Sequence, residues 1–223
     1  ALSGANPELG RLAVEALDDR ERPGREEALL DILRQAGDAE VRRRALRALG
    51  GGDEPASGLT GQLLRDLALK DPDPEVRDTA TWMIAENRSP ESLARLQEIL
   101  AAAKDAEVQS EVLQAIARVG GAEGQAALAA VAVGGANEDL AREAVDALSE
   151  IEDLDKASAL ADIYRRAKSE GAKEAALDRL ADKRDPAGIR ALGKLLKEEK
   201  DRDWRERMVG ALGGSESDEA VPL

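Results

Sequence analysis

The sequence predicts an all-α chain, an α-solenoid built from tandem antiparallel helix pairs of about 32 residues each. Three observations predict it. The first is composition: Ala, Leu, Arg, Glu and Asp dominate, with no Phe, His or Cys, one Tyr (Tyr164) and two Trp (Trp82, Trp204). Straight-chain residues and Ala lose little rotamer freedom in a helix, and the residues that favour strands are scarce. The second is a recurring phrase, DAEV at 38–41, DPEV at 73–76 and DAEV again at 105–108. The third is apolar residues at helical spacing, in two blocks per repeat.

Self-similarity at a fixed period signals a repeat architecture. The last residue of the phrase serves as a marker, and the series reads Leu9, Val41, Val76, Val108, Leu140, Ala172, Trp204, spaced by 32, 35, 32, 32, 32 and 32. Four residues later come Ala13, Ala45, Ala80, Val112, Ala144, Ala176 and Met208. Eight later come Leu17, Leu49, Ile84, Ile116, Leu148, Leu180 and Leu212. Twelve before the marker, Leu29, Leu64, Leu96, Leu128, Leu160 and Leu192 keep one residue type in every copy. Nine before come Ile32, Leu67, Ile99, Val131, Ile163 and Leu195. The earlier block is helix A of each pair and the later block helix B. A pair this short cannot bury its apolar face alone, so neighbours must stack into one core, small residues allowing close approach and Leu or Ile filling the space.

Local signals mark where each helix begins. The B helices are expected to start near 8, 40, 75, 107, 139, 171 and 203, over one domain spanning 1–223. Asp38, Asp73, Asp105 and Asp201, with Asn6, Asn137 and Ser169, stand where an N-cap side chain accepts backbone N–H bonds. Acidic residues in the following turn suit the positive end of the helix dipole. Glycine runs at 50–52, 120–121, 134–135 and 213–214 end helices. Pro23, Pro90 and Pro186 fall near the start of helix A, where a missing N–H costs nothing. Three extra residues between Leu49 and Leu64, in GGGDEPASG, read as a longer surface loop or as a hinge or binding loop. The chain begins at Ala1 without Met, its first B helix has no room for an A helix before it, and residues 217–223 read as the start of another A helix. These ends suggest a piece of a longer array.

The residues Asp38-Ala39-Glu40-Val41-Arg42 with Ala45 and Leu49, and Asp73-Pro74-Glu75-Val76-Arg77 with Ala80 and Ile84, carry the pattern D-x-x-V-R-x-x-A-x-x-x-L followed by a Leu-rich helix. This pattern resembles HEAT-like repeats, closest to the short variety of bacterial proteins and of phycobilisome-lyase-like arrays, and it runs essentially end to end. The resemblance implies a right-handed superhelix whose B helices line a concave binding surface. The Arg after the marker, present as Arg42, Arg77 and Arg205 and as Lys173, is replaced by Gly10, Gln109 and Ala141, so the Asp–Arg ladder of such families reads as broken in the middle.

No catalytic constellation is legible. Without His or Cys there is no imidazole base, thiol nucleophile or thiolate zinc site. There is no phosphate-cradling glycine loop or nucleophile elbow, and the acidic clusters lack the alternation of a calcium loop. Of the HEAT-like enzymes, deoxyhypusine hydroxylase holds iron through His-Glu pairs that this chain lacks. The alkylation-repair glycosylases use a basic, aromatic groove, whereas this chain has a net charge of −14. Residues 1–70 carry a net −2 and residues 71–223 a net −12, a field opposed to nucleic acid and to anionic membrane surfaces. No run approaches the roughly 20 apolar residues that span a bilayer, and no targeting segment is present. No enzyme activity, cofactor or metal is expected.

The outward side of helix B is the candidate binding surface. At 100 degrees per residue, columns 0, +4, +5, +7 and +8 face the core, and column +6 points away, flanked by +2, +3 and +10. Column +6 reads Glu15, Arg47, Trp82, Gln114, Asp146, Asp178, Gly210. Arg43, Arg44 and Arg47 form a basic set, and Glu143, Asp146, Glu150, Glu174, Asp178 and Asp182 an acidic one, with Trp82 between them in sequence. The charges read as binding patches or as solvated helix faces, and Trp82 as an interface anchor or a side chain folded over a repeat junction. Trp204 and Tyr164 are expected in the core, with the Tyr164 hydroxyl at its rim. The function this supports is a monomeric, non-catalytic protein-interaction scaffold whose protein or peptide partner brings a basic segment. The alternative is a regulatory or lyase-like subunit, or the sensor domain of a larger protein, membrane-linked or not.

Overall fold

The computed structural model describes residues 7–17, 23–50, 58–86, 88–135, 137–151, 155–182 and 184–213. Among them there are thirteen α-helices and no strand. The B helices are α1 (Pro7–Glu15), α3 (Ala39–Gly50), α5 (Pro74–Glu86), α7 (Ala106–Val119), α9 (Glu138–Glu150), α11 (Glu170–Leu180) and α13 (Arg202–Gly213). The A helices between them are α2 (Arg25–Gln35), α4 (Gly58–Lys70), α6 (Pro90–Ala102), α8 (Gly121–Gly134), α10 (Lys156–Arg166) and α12 (Pro186–Glu198). The caps explain the starts. Val41 N–H donates to Asp38 and Val76 N–H to Asp73, each at 3.0 Å, Glu107 N–H to Asp105 at 2.9 Å, and Ala172 N–H to Ser169 at 3.2 Å. Asn137 and Asp201 each accept two such bonds. Asn6, Gly51–Gly52, Gly214, the inserted residues 51–57 and the tail at 217–223 lie outside the described residues.

The chain divides into two compact units, Ala1–Ala115 and Ile116–Leu223. In the first, α2 packs on α3 and α4 on α5, while α3 lies between α1 and α5 and α4 against α6. In the second, α8 packs on α9, α10 on α11 and α12 on α13; α9, α11 and α13 form one layer, and α8, α10 and α12 the other. Each unit is thus a two-layer, hairpin-by-hairpin α-solenoid.

The repeat columns are its core. All six Leu twelve before the marker are buried, as are Ala45, Ala80, Val112, Ala144, Ala176 and Met208 four after it. Each fully buried Leu or Ile contributes about 1.5–3 kcal/mol of hydrophobic stabilisation. Leu49, Val131, Leu140 and Leu212 are half-buried. The marker column departs from expectation at three positions: Leu9 is 54% exposed, and Leu140 and Trp204 are half-buried. For Leu9 and Trp204 the reason is that a core column buries its residue only where helices pack on both sides, and α1 and α13 are the outermost B helices described. Two columns that drift in type have a packing reason. A Cβ on Gly10 would come within 2.9 Å of Val41 Cγ2, so glycine permits the approach of α1 to α3. Thr81 is buried and donates its hydroxyl to the Arg77 carbonyl at 2.8 Å.

Candidate protein-interaction surface

At α3, α5, α7 and α13 the residue after the marker fixes the B helix to the A helix before it. Its side chain donates to a carbonyl six residues earlier, at the C-terminal end of helix A. Arg42 reaches Ala36 at 3.0 Å, Arg77 reaches Asp71 at 3.3 Å and Arg205 reaches Glu199 at 3.2 Å. These carbonyls have no partner within their own helix, and a cation suits the negative end of the helix dipole. Gln109 donates to Ala103 at 3.0 Å, so its position keeps the clamp and loses only the charge. Arg42 does more: its guanidinium forks onto Asp71 at 2.7 and 2.8 Å, with both side chains buried. Arg77 pairs with Glu107 and lies 3.6 Å from Glu111. Burial pushes the Glu111 carboxyl up to about 6 against the pull of Arg77. The buried Arg77 Nε and Glu111 Oε2 make no hydrogen bond.

With the helices so fixed, column +6 is exposed at Glu15, Arg47, Trp82, Gln114, Asp178 and Gly210 and half-buried at Asp146. Trp82 is 36% exposed. Arg43, Arg44 and Arg47 lie on α3 and Trp82 on α5, in the first unit. Glu143, Asp146 and Glu150 lie on α9, Glu174 and Asp178 on the adjacent α11, and Asp182 just after it, in the second unit.

Many of these charges are matched within the fold. Arg43 bridges Glu40 at 3.0 Å and also Glu75 of α5, and Arg44 bridges Glu40 at 2.8 Å. The hydrogen bond from Arg44 holds the Glu40 carboxyl below its ordinary value. Asp146 accepts two N–H bonds from Arg179 at 2.9 and 3.1 Å, and Glu174 pairs with Arg207 of α13. Asp182 is held low by the backbone N–H of Arg184 and then by its guanidinium. Sequence reading missed Arg179 and Arg207 as partners. The available signal was the 33-residue spacing of both pairs, one more than the repeat, which joins the same face of successive B helices.

A second missed feature gathers the aromatic residues. Tyr164 is buried and Trp204 meets it edge-to-face, with centroids 5.7 Å apart. Lys173 Nζ lies 5.7 Å from the Tyr164 centroid and 5.8 Å from that of Trp204, and Arg207 stacks 4.8 Å from the Trp204 ring. The Tyr164 hydroxyl donates to Glu199. Burial and then that bond raise the phenol well above its ordinary value, and the same bond lowers the Glu199 carboxyl. Among the described residues no group of three or more acidic side chains is placed to hold a metal ion, and no helix is long and apolar enough to cross a membrane.

Tandem helical hairpins, clamped by a cation or amide at the starts of α3, α5, α7 and α13 and presenting one outward column along the B helices, define a helical-repeat protein of the α-solenoid class. Residues 26–117 match the family model of HEAT repeats, and over that stretch the chain is similar to HEAT-like repeat proteins. HEAT repeats generally mediate protein–protein interaction and are typically non-catalytic. No curated protein matches the chain. Among solved structures it is similar to one described as "Computational Design of Self-Assembling Cyclic Protein Homooligomers", with 17% identity over 96% of this chain and 81% of that one and a TM-score of 0.17.

Proposed function

We propose that the chain is a non-catalytic scaffold, monomeric by itself, that binds a protein partner along columns +2, +3, +6 and +10 of the B helices. The partner's basic segment meets Glu143, Glu150 and Asp178, with Asp146, Glu174 and Asp182 as the shared, partly neutralised charges around them. Trp82 and the arginines of α3 contact the remainder of the partner. The observation that carries this reading is the exposure of column +6 in six repeats and its half-exposure in the seventh. Within each unit, a partner lying along that column meets a side chain every repeat without disturbing the core. The internal ion pairs refine the reading: a carboxylate already bonded to Arg179 or Arg207 offers less to a partner than an unpaired one.

The test is affinity capture of partners from the native lysate, followed by a salt titration of the purified pair. Glu150→Lys with Asp178→Lys leaves the Arg179–Asp146 pair intact and is expected to abolish salt-sensitive binding. Asp146→Lys with Asp178→Lys is expected to act at least as strongly. Binding that ignores both double substitutions and is unchanged between low and high salt rejects the electrostatic reading.

A further inference from the structure

The second unit holds a pocket of about 250 Å³ between the C-terminal ends of α10 and α12 and the first turn of α11. Its carboxylates are already engaged. Glu198 receives Arg165 Nε and Nη2 at 3.0 and 2.9 Å. Glu199 accepts the Tyr164 hydroxyl and the backbone N–H groups of Lys200 and Asp201, the latter two at 2.7 and 2.9 Å. Two cations on the pocket wall, Lys173 and Lys200, are hydrogen-bonded to no carboxylate among the described residues. The rings of Tyr164 and Trp204 meet the charge of Lys173 but accept none of its three N–H donors in a directed bond. Lys173 also helps to hold the Glu199 carboxyl low, but the Glu199 oxygens are taken by the Tyr164 hydroxyl and the backbone of Lys200 and Asp201, which leaves the N–H donors of Lys173 and Lys200 without a directed carboxylate acceptor on the pocket wall. Its volume falls below the roughly 300–1,000 Å³ usual for small-molecule sites and suits one side chain. Tyr164 and Leu195 supply apolar wall for an alkyl stem.

We propose that this pocket binds a glutamate side chain of an acidic peptide segment, its carboxylate accepting from Lys173 and Lys200 and its methylenes lying on Tyr164 and Leu195. The site stands apart from the helix-B surface, which uses other residues and attracts the opposite charge. The chain's net negative charge repels acidic ligands at long range, so the recognition is local and strengthens little when salt is lowered.

Trp204 reports on the site. In the full-length chain carrying Trp82→Phe it is the sole tryptophan, and its fluorescence is titrated with an acetylated, amidated hexapeptide of alternating Ala and Glu. The glutamine counterpart and free glutarate are titrated in parallel. The Glu peptide is expected to give a saturable change, with the Gln peptide at least about tenfold weaker. Lys173→Met weakens the Glu peptide about tenfold and Lys200→Ala a few-fold, while far-ultraviolet circular dichroism is unchanged. Equal binding of the Gln peptide, or full affinity in folded Lys173→Met, overturns the proposal. Glutarate binding as tightly as the peptide overturns the peptide assignment. Should Lys173→Met fail to fold, the exposed Lys200→Ala decides: undiminished affinity there overturns the proposal.

Discussion

Arg42→Met is the substitution that tests the clamp most sharply. It keeps the length and the apolar stem and removes the fork. Asp71 then remains buried, its carboxylate keeping only the backbone N–H of Asp73 as a donor, at 3.0 Å. The carbonyls of Ala36 and Gly37 each lose a donor at 3.0 Å. Breaking a buried ion pair from one side costs about 3–5 kcal/mol, and each lost carbonyl bond about 0.5–1.5 kcal/mol. These terms overlap, because one guanidinium makes all four bonds, so about 4 kcal/mol is expected. Asp71→Asn in the same background removes the uncompensated charge, and the double variant recovers about 2 kcal/mol of the summed single costs. Urea unfolding of the four proteins in the cycle, followed by circular dichroism, measures both quantities. A cost below about 1 kcal/mol for Arg42→Met, or strict additivity in the double variant, refutes the reasoning. Gln109→Ala loses one neutral bond and is expected to cost only about 1 kcal/mol.

Other substitutions probe separate parts of the fold. Glu111 faces Arg77, with Glu107, Asp78 and Asp105 nearby, and its carboxyl titrates near about 6 against an ordinary value of 4.5. The folded state therefore holds this proton more tightly, so its contribution is full below 4.5 and is lost as pH rises through about 6. The gap corresponds to ~2 kcal/mol, which solvent screening reduces to about 1 kcal/mol. Glu111→Gln mimics the protonated acid and is expected to flatten the stability profile across that window and to stabilise the protein at neutral pH; an unchanged profile contradicts this. Gly10→Ala drives a Cβ against Val41 and is expected to cost about 1–3 kcal/mol, seen as faster amide exchange in α1. Trp82→Ala is expected to leave stability within about 0.5 kcal/mol of the parent; a loss above about 2 kcal/mol shows instead that the ring packs at a repeat junction.

What could be read from sequence was what each repeat states by itself. The capping side chains and the aliphatic columns are local and recur seven times, so Leu29 and Leu96 declare their burial from spacing alone. What depends on the neighbouring repeat was hidden. Leu9 obeys the same column rule as Val41 but has a described helix on one side only. Arg179 reads as a polar intruder in an Ala column, and only the juxtaposition of α9 and α11 places it on Asp146. Gln109 reads as a gap in a cationic ladder until its amide is seen on the Ala103 carbonyl, since the clamp needs a donor more than a charge. The joining of Tyr164, Lys173 and Trp204 draws on three columns of two repeats, none of them unusual in isolation.

Methyl resonances of the leucines, read with a soluble paramagnetic agent, measure the arrangement of the repeats directly. Leu29, Leu96 and Leu160 should keep their full intensity, being 0%, 0% and 3% exposed, while Leu9 and Leu12, at 54% and 58%, should bleach. Strong bleaching at any of the first three would contradict the stacking of helical pairs on which the account is built.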